Sequence, residues 1–319
     1  MKVFAMPPEL DVIGVGACAV DYIGLADAFA RPDTKNELRK IHVDGGGPVA
    51  TALVALARLG AGVSYLGKLG SSALAQSALN SLSDEGVDIS HIIAGNENAG
   101  PYFAFILADQ TSKQRTIWYS AQEVSHVKPE EVPVDFLNSA KYLLFDDYEI
   151  DAAIYCAKWA KNTGVKVVLD AEDPAKEKIG ELIGLTDILI LPEAFAFEFT
   201  GKLDAATAAG ELKKTFGPEI VTITQGKKGS HSRFGAGEEH FQPIFDVETV
   251  DTTGCGDVFH GAFVFGLLKG WTIPIVAEFA TAVSSLKSLE LGGRSGIPTY
   301  AEVFAFLKER GSRRLKDAL

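Results

Sequence analysis

Short runs rich in β-branched and aromatic residues alternate with longer stretches of helical spacing along most of this chain, and that rhythm constrains the fold more than any other feature. Asp11 to Gly16 reads as a first strand. Pro48 to Leu59 reads as a helix stopped by Gly60 and Gly62, and Val63 to Leu66 as the next strand. Ala73 to Leu82 is helical. Further strands are expected at Tyr142 to Phe145, Val165 to Leu169, Asp187 to Leu191 and Ile220 to Thr224, with helices at Asp151 to Lys161 and Ala205 to Phe216. Strands joined through such helices run parallel, and the helices cover both faces of their sheet. The expected class is α/β with a mainly parallel central sheet. The last third changes character, with three successive helices at Asp257 to Lys269, Ile275 to Leu289 and Tyr300 to Arg310.

Two stretches break the rhythm. Tyr22 to Val43 is polar and mixed, and Tyr102 to Tyr119 reads as two strands around a turn at Asp109 to Lys113. Together they predict a small β-sheet lid, built from about 20–44 and 98–120 and inserted into a single domain spanning 1–319.

Composition removes several function classes. The net charge of −12 argues against nucleic acid or an anionic membrane as partner. Cys18, Cys156 and Cys255 are three and widely spaced, which indicates neither a disulfide framework nor a zinc site. Met1 to Leu10 holds two prolines and a Glu and does not read as a signal peptide. No run reaches the ~18 uninterrupted apolar residues of a membrane span. A cytoplasmic location is expected.

The chemistry is concentrated in Val250-Asp251-Thr252-Thr253-Gly254-Cys255-Gly256-Asp257, which an apolar helix follows. A helix start exposes unpaired N–H groups, and glycines let backbone approach a ligand closely. The amides of Gly254, Cys255 and Gly256 are thus expected to receive a phosphoryl group as its charge builds. Asp257, in the first helical turn, is placed to take a proton from an attacking hydroxyl. A bare turn of this kind, with Asp257 as a helix cap, would be the plainer reading.

The longer string resembles the DTxGxGD signature of the ribokinase-like, or PfkB, carbohydrate kinases. Gly45-Gly46-Gly47-Pro48-Val49-Ala50-Thr51-Ala52 is similar to the family's N-terminal motif, Thr224-Gln225-Gly226-Lys227-Lys228-Gly229 to its nucleotide loop, and Gly292-Gly293-Arg294-Ser295-Gly296-Ile297-Pro298 to its C-terminal motif. Four motifs in order carry the resemblance across nearly the whole chain, and the stretches at 45–52, 250–262 and 292–298 look most like the branch of the sulfofructose kinases. The resemblance implies a three-layer α/β/α fold and phosphorylation of a sugar hydroxyl by ATP with Mg²⁺. It places Asp21, Gly46, Gly47 and Thr51 at the substrate, and Thr224, Gly226, Gly229 and Thr253 at ATP. It also implies a monovalent cation such as K⁺, held by Asp251 and Thr253 with carbonyls of Lys287, Glu290, Gly292 and Gly296. Dimerisation through lid edges is expected as well.

The chain departs from the family in informative places. Thr51 stands where many members have asparagine, so substrate contacts must differ. An Asn-x-x-Glu motif is replaced at Leu191-Pro192-Glu193-Ala194-Phe195, with Glu193 as the nearest acid. Asp146-Asp147-Tyr148-Glu149 would repel an anionic sugar. Gly14-Val15-Gly16 resembles a dinucleotide fingerprint without its third glycine and reads as a close-packed strand end. The leading expectation is an ATP-dependent sugar kinase. A nucleoside kinase of the same fold, a non-catalytic sugar or nucleotide sensor and a nicotinamide oxidoreductase are the alternatives.

Overall fold

In the computed structural model, which describes residues 10–112, 114–312 and 314, eight strands form one central sheet. Its order is Glu238–Gln242, Ser230–Phe234, Ile220–Thr224, Ile188–Pro192, Lys166–Asp170, Tyr142–Phe145, Val12–Val15 and Val63–Leu66. The last six are mutually parallel, and the first two close the far edge as an antiparallel hairpin. Met1 to Glu9 of the proposed non-signal segment and Lys113 of the expected turn lie outside the described residues.

Alternation along the strands divides the core in two. Val12, Leu144, Val168 and Ile188 face the helices Pro48–Leu59, Cys255–Leu268 and Ile273–Lys287, whereas Ile13, Phe145, Leu169 and Val221 face Ile150–Ala160 and Ala205–Phe216. Because both faces are covered, the strands read as continuous apolar runs rather than as alternating ones. The expected elements differ at their ends: the helix placed at Ile275 to Leu289 runs Ile273–Lys287, and Thr272 and Pro274 explain the earlier start. The short helices Ile179–Ile183 and Glu193–Thr200 are additional.

The helix Cys255–Leu268 is buried over Val258 to Gly266, so it forms an inner column rather than a surface. It approaches the helix Pro48–Leu59 closely, since a Cβ on Gly261 would stand 2.4 Å from the Ala52 carbonyl oxygen. Each fully buried phenylalanine here, such as Phe263 or Phe265, contributes about 2–3 kcal/mol. The Gly261 contact fixes the middle of one helix against the middle of the other.

The irregular stretches form a second, separate sheet in the order Lys40–Gly46, Ala19–Ala26, Tyr102–Asp109, Arg115–Ser120. Its register sorts the residues by face. Asp21 pairs with Ala104, and Ala104 with Tyr119, on the side turned toward the main sheet. Val43, Tyr22, Phe105 and Trp118 pair in series across all four strands on the other side. Those four side chains are 40–56% exposed.

Candidate active site

Six parallel strands deliver their C-terminal ends to one edge of the sheet, the place where open α/β folds bind ligands. Two cavities lie along that edge. One, of about 450 Å³, is bordered by Thr224, Gly226, Gly229, Cys255 and Ser284. The other, of about 290 Å³, lies under the small sheet and is bordered by Asp21, Gly47, Tyr102, Tyr148, Glu172 and Asp257. Thr252, Gly256 and Arg115 border both.

The turn between the cavities depends on Gly254. Its φ of 74° suits glycine, and a Cβ there would lie 2.6 Å from the Gly293 carbonyl oxygen. The Gly254 and Gly256 amides carry no partner among the described residues, so they are free to donate to an anion. Cys255 differs from the sequence expectation: its amide donates to the Thr252 carbonyl at 3.2 Å and closes the turn instead. Arg115, from the last strand of the small sheet, donates to Thr252 Oγ1 at 2.5 Å and brings a guanidinium to the junction.

Asp257 opens onto the smaller cavity. Burial pushes its pKa up, and the charges of His260, Arg115 and Lys287 hold it down. Asp21 is pushed up to about 7, first by burial; Arg294 opposes the shift and Asp44 and Asp257 add to it. Glu172 also rises to about 7, by burial and the charges of Asp257 and Asp147. Three carboxylates therefore face the cavity, and Arg115 is the cation that borders it with them.

The acid patch expected from Asp146, Asp147 and Glu149 is corrected by their contacts. All three are buried, and they bind backbone rather than ligand. Asp146 accepts from the Ala17 amide at 2.7 Å and the Tyr148 amide at 3.0 Å, Asp147 from Asp173 at 2.8 Å, and Glu149 from Val127 at 2.9 Å. The acid that does face the cavity, Glu172, and its neighbour Tyr148 carried no functional sequence signal. Gly16 packs against Asp146, which accounts for the incomplete dinucleotide fingerprint as close packing.

Of the expected substrate residues, Asp21 and Gly47 border the cavity, while Gly46 and Thr51 lie behind it. Both are held by Arg294, which donates to the Gly46 carbonyl at 2.7 Å and to Thr51 Oγ1 at 3.3 Å. Gly47 has a φ of 89°, and a Cβ would meet the Ala17 carbonyl oxygen at 2.3 Å. On the nucleotide side, Glu193 accepts from Gln225 Nε2 and Lys228 Nζ at 3.1 Å, so it braces the Gly226 loop; Phe195 is core.

The model of the pfkB family carbohydrate kinases matches residues 10–300. The chain belongs to that family. This pfkB kinase is 30% identical over 302 residues to a ribokinase of Haemophilus influenzae, covering 92% of this chain and 97% of the relative. It is 26% identical over 324 residues to a 5-dehydro-2-deoxygluconokinase of Shouchella clausii, covering 95% and 97%. Its fold matches the Arabidopsis thaliana ribokinase solved with ribose and ATP at a TM-score of 0.79 and 22% identity, over 94% of this chain and 99% of that one. The protein is an ATP-dependent carbohydrate kinase. Among the described residues, no helix is long and apolar enough to cross a membrane.

The residues that the resemblance assigns to a monovalent cation gather beside the Gly254 turn of this pfkB kinase, with a cation of the chain's own among them. Asp251 accepts from the Thr253 amide at 2.9 Å and hydroxyl at 2.8 Å, and from the Gly292 amide at 2.9 Å. Gly296 stands against the Lys287 carbonyl. The Lys287 side chain is fully buried and donates to the Asp251 carbonyl at 3.2 Å. Burial lowers its pKa, and the charges of Cys255 and Asp251 oppose that. The Asp251 carboxylate oxygens thus accept protein donors, and the Lys287 ammonium reaches the main-chain carbonyl of the same residue.

Proposed function

We propose that this kinase transfers the γ-phosphoryl of MgATP to a hydroxyl, primary by expectation, of a small neutral polyhydroxylated acceptor. The observation that carries the reading is the junction of the two cavities at Thr252, Gly256 and Arg115, with Asp257 on the acceptor side. ATP occupies the larger cavity along Thr224, Gly226 and Gly229, and directs its γ-phosphate to the turn. The acceptor lies against Asp21, Gly47 and Glu172. Asp257 takes the hydroxyl proton as the oxygen attacks in line. The free Gly254 and Gly256 amides and Arg115 stabilise the charge on the transferring group, which is most of what phosphoryl transfer asks of a protein. Thr253 orders the turn by its two hydrogen bonds to Asp251. Mg²⁺ enters with the nucleotide.

The acidic lining supports a neutral acceptor over a sulfonated or phosphorylated one, because Asp21, Glu172 and Asp257 would have to be desolvated against a like charge. The volume of about 290 Å³ sits at the small end of the roughly 300–1,000 Å³ usual for ligand pockets and favours a monosaccharide. A nucleoside is the second reading, favoured by Tyr102, Tyr119 and Tyr148 on the same cavity. The small sheet acts as a lid that excludes water during transfer.

ADP release measured with MgATP against neutral sugars, sugar acids, sulfosugars and nucleosides tests the assignment. Turnover with neutral monosaccharides alone is expected. Preferential turnover of an anionic sugar would overturn the acceptor assignment.

The row Val43, Tyr22, Phe105 and Trp118 supports pairing of two lids in a homodimer, since it is a continuous apolar stripe on a sheet with two open edges. Trp118→Glu is expected to convert the dimer to monomer in light scattering. A wild-type monomer at assay concentration would remove this interface.

A further inference from the structure

The helix that begins at Cys255 carries a second titratable group one turn beyond the base. His260 is 3% exposed, and both of its ring nitrogens face carbonyl oxygens. Nδ1 lies 2.8 Å from the Gly256 oxygen and Nε2 lies 3.0 Å from the Ile190 oxygen. A neutral imidazole has one donor and one acceptor nitrogen, whereas a carbonyl oxygen only accepts. Either neutral tautomer would therefore set a ring lone pair against an oxygen lone pair in a buried place. The doubly protonated ring alone satisfies both contacts. Asp170 Oδ2 at the end of its strand stands 3.4 Å from Nδ1; burial and the neighbouring acids push its pKa well up, so it ionises only against a cation as close as this ring.

We infer that His260 is a buried imidazolium, ion-paired with Asp170, that keeps the Asp257 carboxylate ionised where the kinase works. It is a positioning residue and touches no reactant. The inference deepens the reading of Asp257 as base and rests on it for its kinetic arm. The groups that face Asp257 explain the need. Asp170 and Glu172 approach from one strand end and Asp21 from the small sheet, and the Asp257 charge raises the pKa of all three, so the acids of this cluster compete for the available cations. Arg115 from the small sheet and Lys287 from the following helix oppose them. Asp146 and Asp147 add negative charge beside Asp170. A base that holds its proton cannot accept another, so the third cation, on the helix of Asp257 itself, tips the balance. Burial lowers the His260 pKa against the pull of the Ile190 and Gly256 carbonyls and of Asp257, but no neutral ring can satisfy both carbonyl contacts, and that geometry decides for the charged form.

Two readouts test this on the full-length enzyme. Nitrogen-15 spectra of histidine side chains, assigned by comparison with His260→Gln, are expected to show His260 with both nitrogens protonated from pH 6.5 to 8.5. In His260→Gln the acidic limb of the kcat/KM profile is expected to move up by about one to two pH units, with activity recovering above the limb and the KM for ATP unchanged. A structural role alone would lower activity uniformly across pH. A neutral His260 tautomer at pH 7 would overturn the inference, as would a Gln variant with an unmoved limb. If the variant does not fold, the pH titration of the wild-type histidine signals decides, through the presence or absence of a resonance that stays doubly protonated. Near-normal turnover of Asp257→Asn would sink the base reading while leaving the imidazolium signature to be judged separately.

Discussion

Asp257→Asn is expected to lower kcat by about 10³-fold while leaving the KM for ATP within about threefold of the wild type. Asparagine keeps the size of the side chain and its place in the first turn of the helix, and it cannot accept the proton that the acceptor hydroxyl must lose. The same change is expected to raise the melting temperature at pH 7. The folded pKa of Asp257 lies above its ordinary value, so at pH values between the two the folded state holds a proton that the unfolded chain has already released. The resulting penalty begins in the ordinary carboxylate range and is fully present once pH passes the folded pKa. Asparagine carries no such penalty. Lost turnover with gained stability would mark Asp257 as a group kept for chemistry at a cost to the fold. Near-normal turnover in coupled ADP assays would remove it from the role of base.

What the sequence made legible follows from which physics writes a local signal. A sheet buried on both faces requires strands that are apolar throughout and helices between them, so the runs at Val63 to Leu66 and Ile220 to Thr224 could be placed directly. The glycine turn before Asp257 was equally readable, because the left-handed backbone at Gly254 leaves glycine no substitute. Side-chain direction leaves no such mark. Asp146 and Asp147 looked like ligand-facing acids in sequence, yet the strand-end geometry turns them onto backbone amides. Glu172 is one acid among many until the end of the strand Lys166–Asp170 aims it at the cavity. His260 reads as a polar interruption of an apolar helix, and only the Ile190 carbonyl opposite it, 70 residues away, gives it meaning. Lys287 was expected to offer a carbonyl, and its ammonium was invisible for the same reason.

Arg294→Met is expected to weaken the acceptor side of the site and the fold together. Arg294 is 2% exposed, and its guanidinium joins three elements. It bonds the Gly46 carbonyl at the end of a lid strand, Thr51 in the helix that follows, and Ser81 Oγ at 3.1 Å in the helix Ala73–Ser83. Methionine fills much of the volume and leaves those groups unpaired, at a cost of about 3 kcal/mol, which thermal melting should register as a fall of about 5–10 °C. The catalytic consequence runs through Asp21. Arg294 opposes the burial that lifts Asp21 to about 7, so removing it moves that pKa higher and leaves the carboxylate protonated at neutral pH. A protonated Asp21 loses acceptor capacity for a sugar hydroxyl, and the acceptor KM is expected to rise about tenfold at pH 7 and to recover partly at pH 9. The KM for ATP should not move, because Arg294 does not border the larger cavity. Arg294→Lys separates the two effects: it restores the charge near Asp21 without the planar fork, so acceptor KM should recover more than melting temperature. An unchanged acceptor KM in the methionine variant would make Arg294 a structural clamp alone. It would also remove the link by which Thr51, bonded to that guanidinium, bears on substrate recognition.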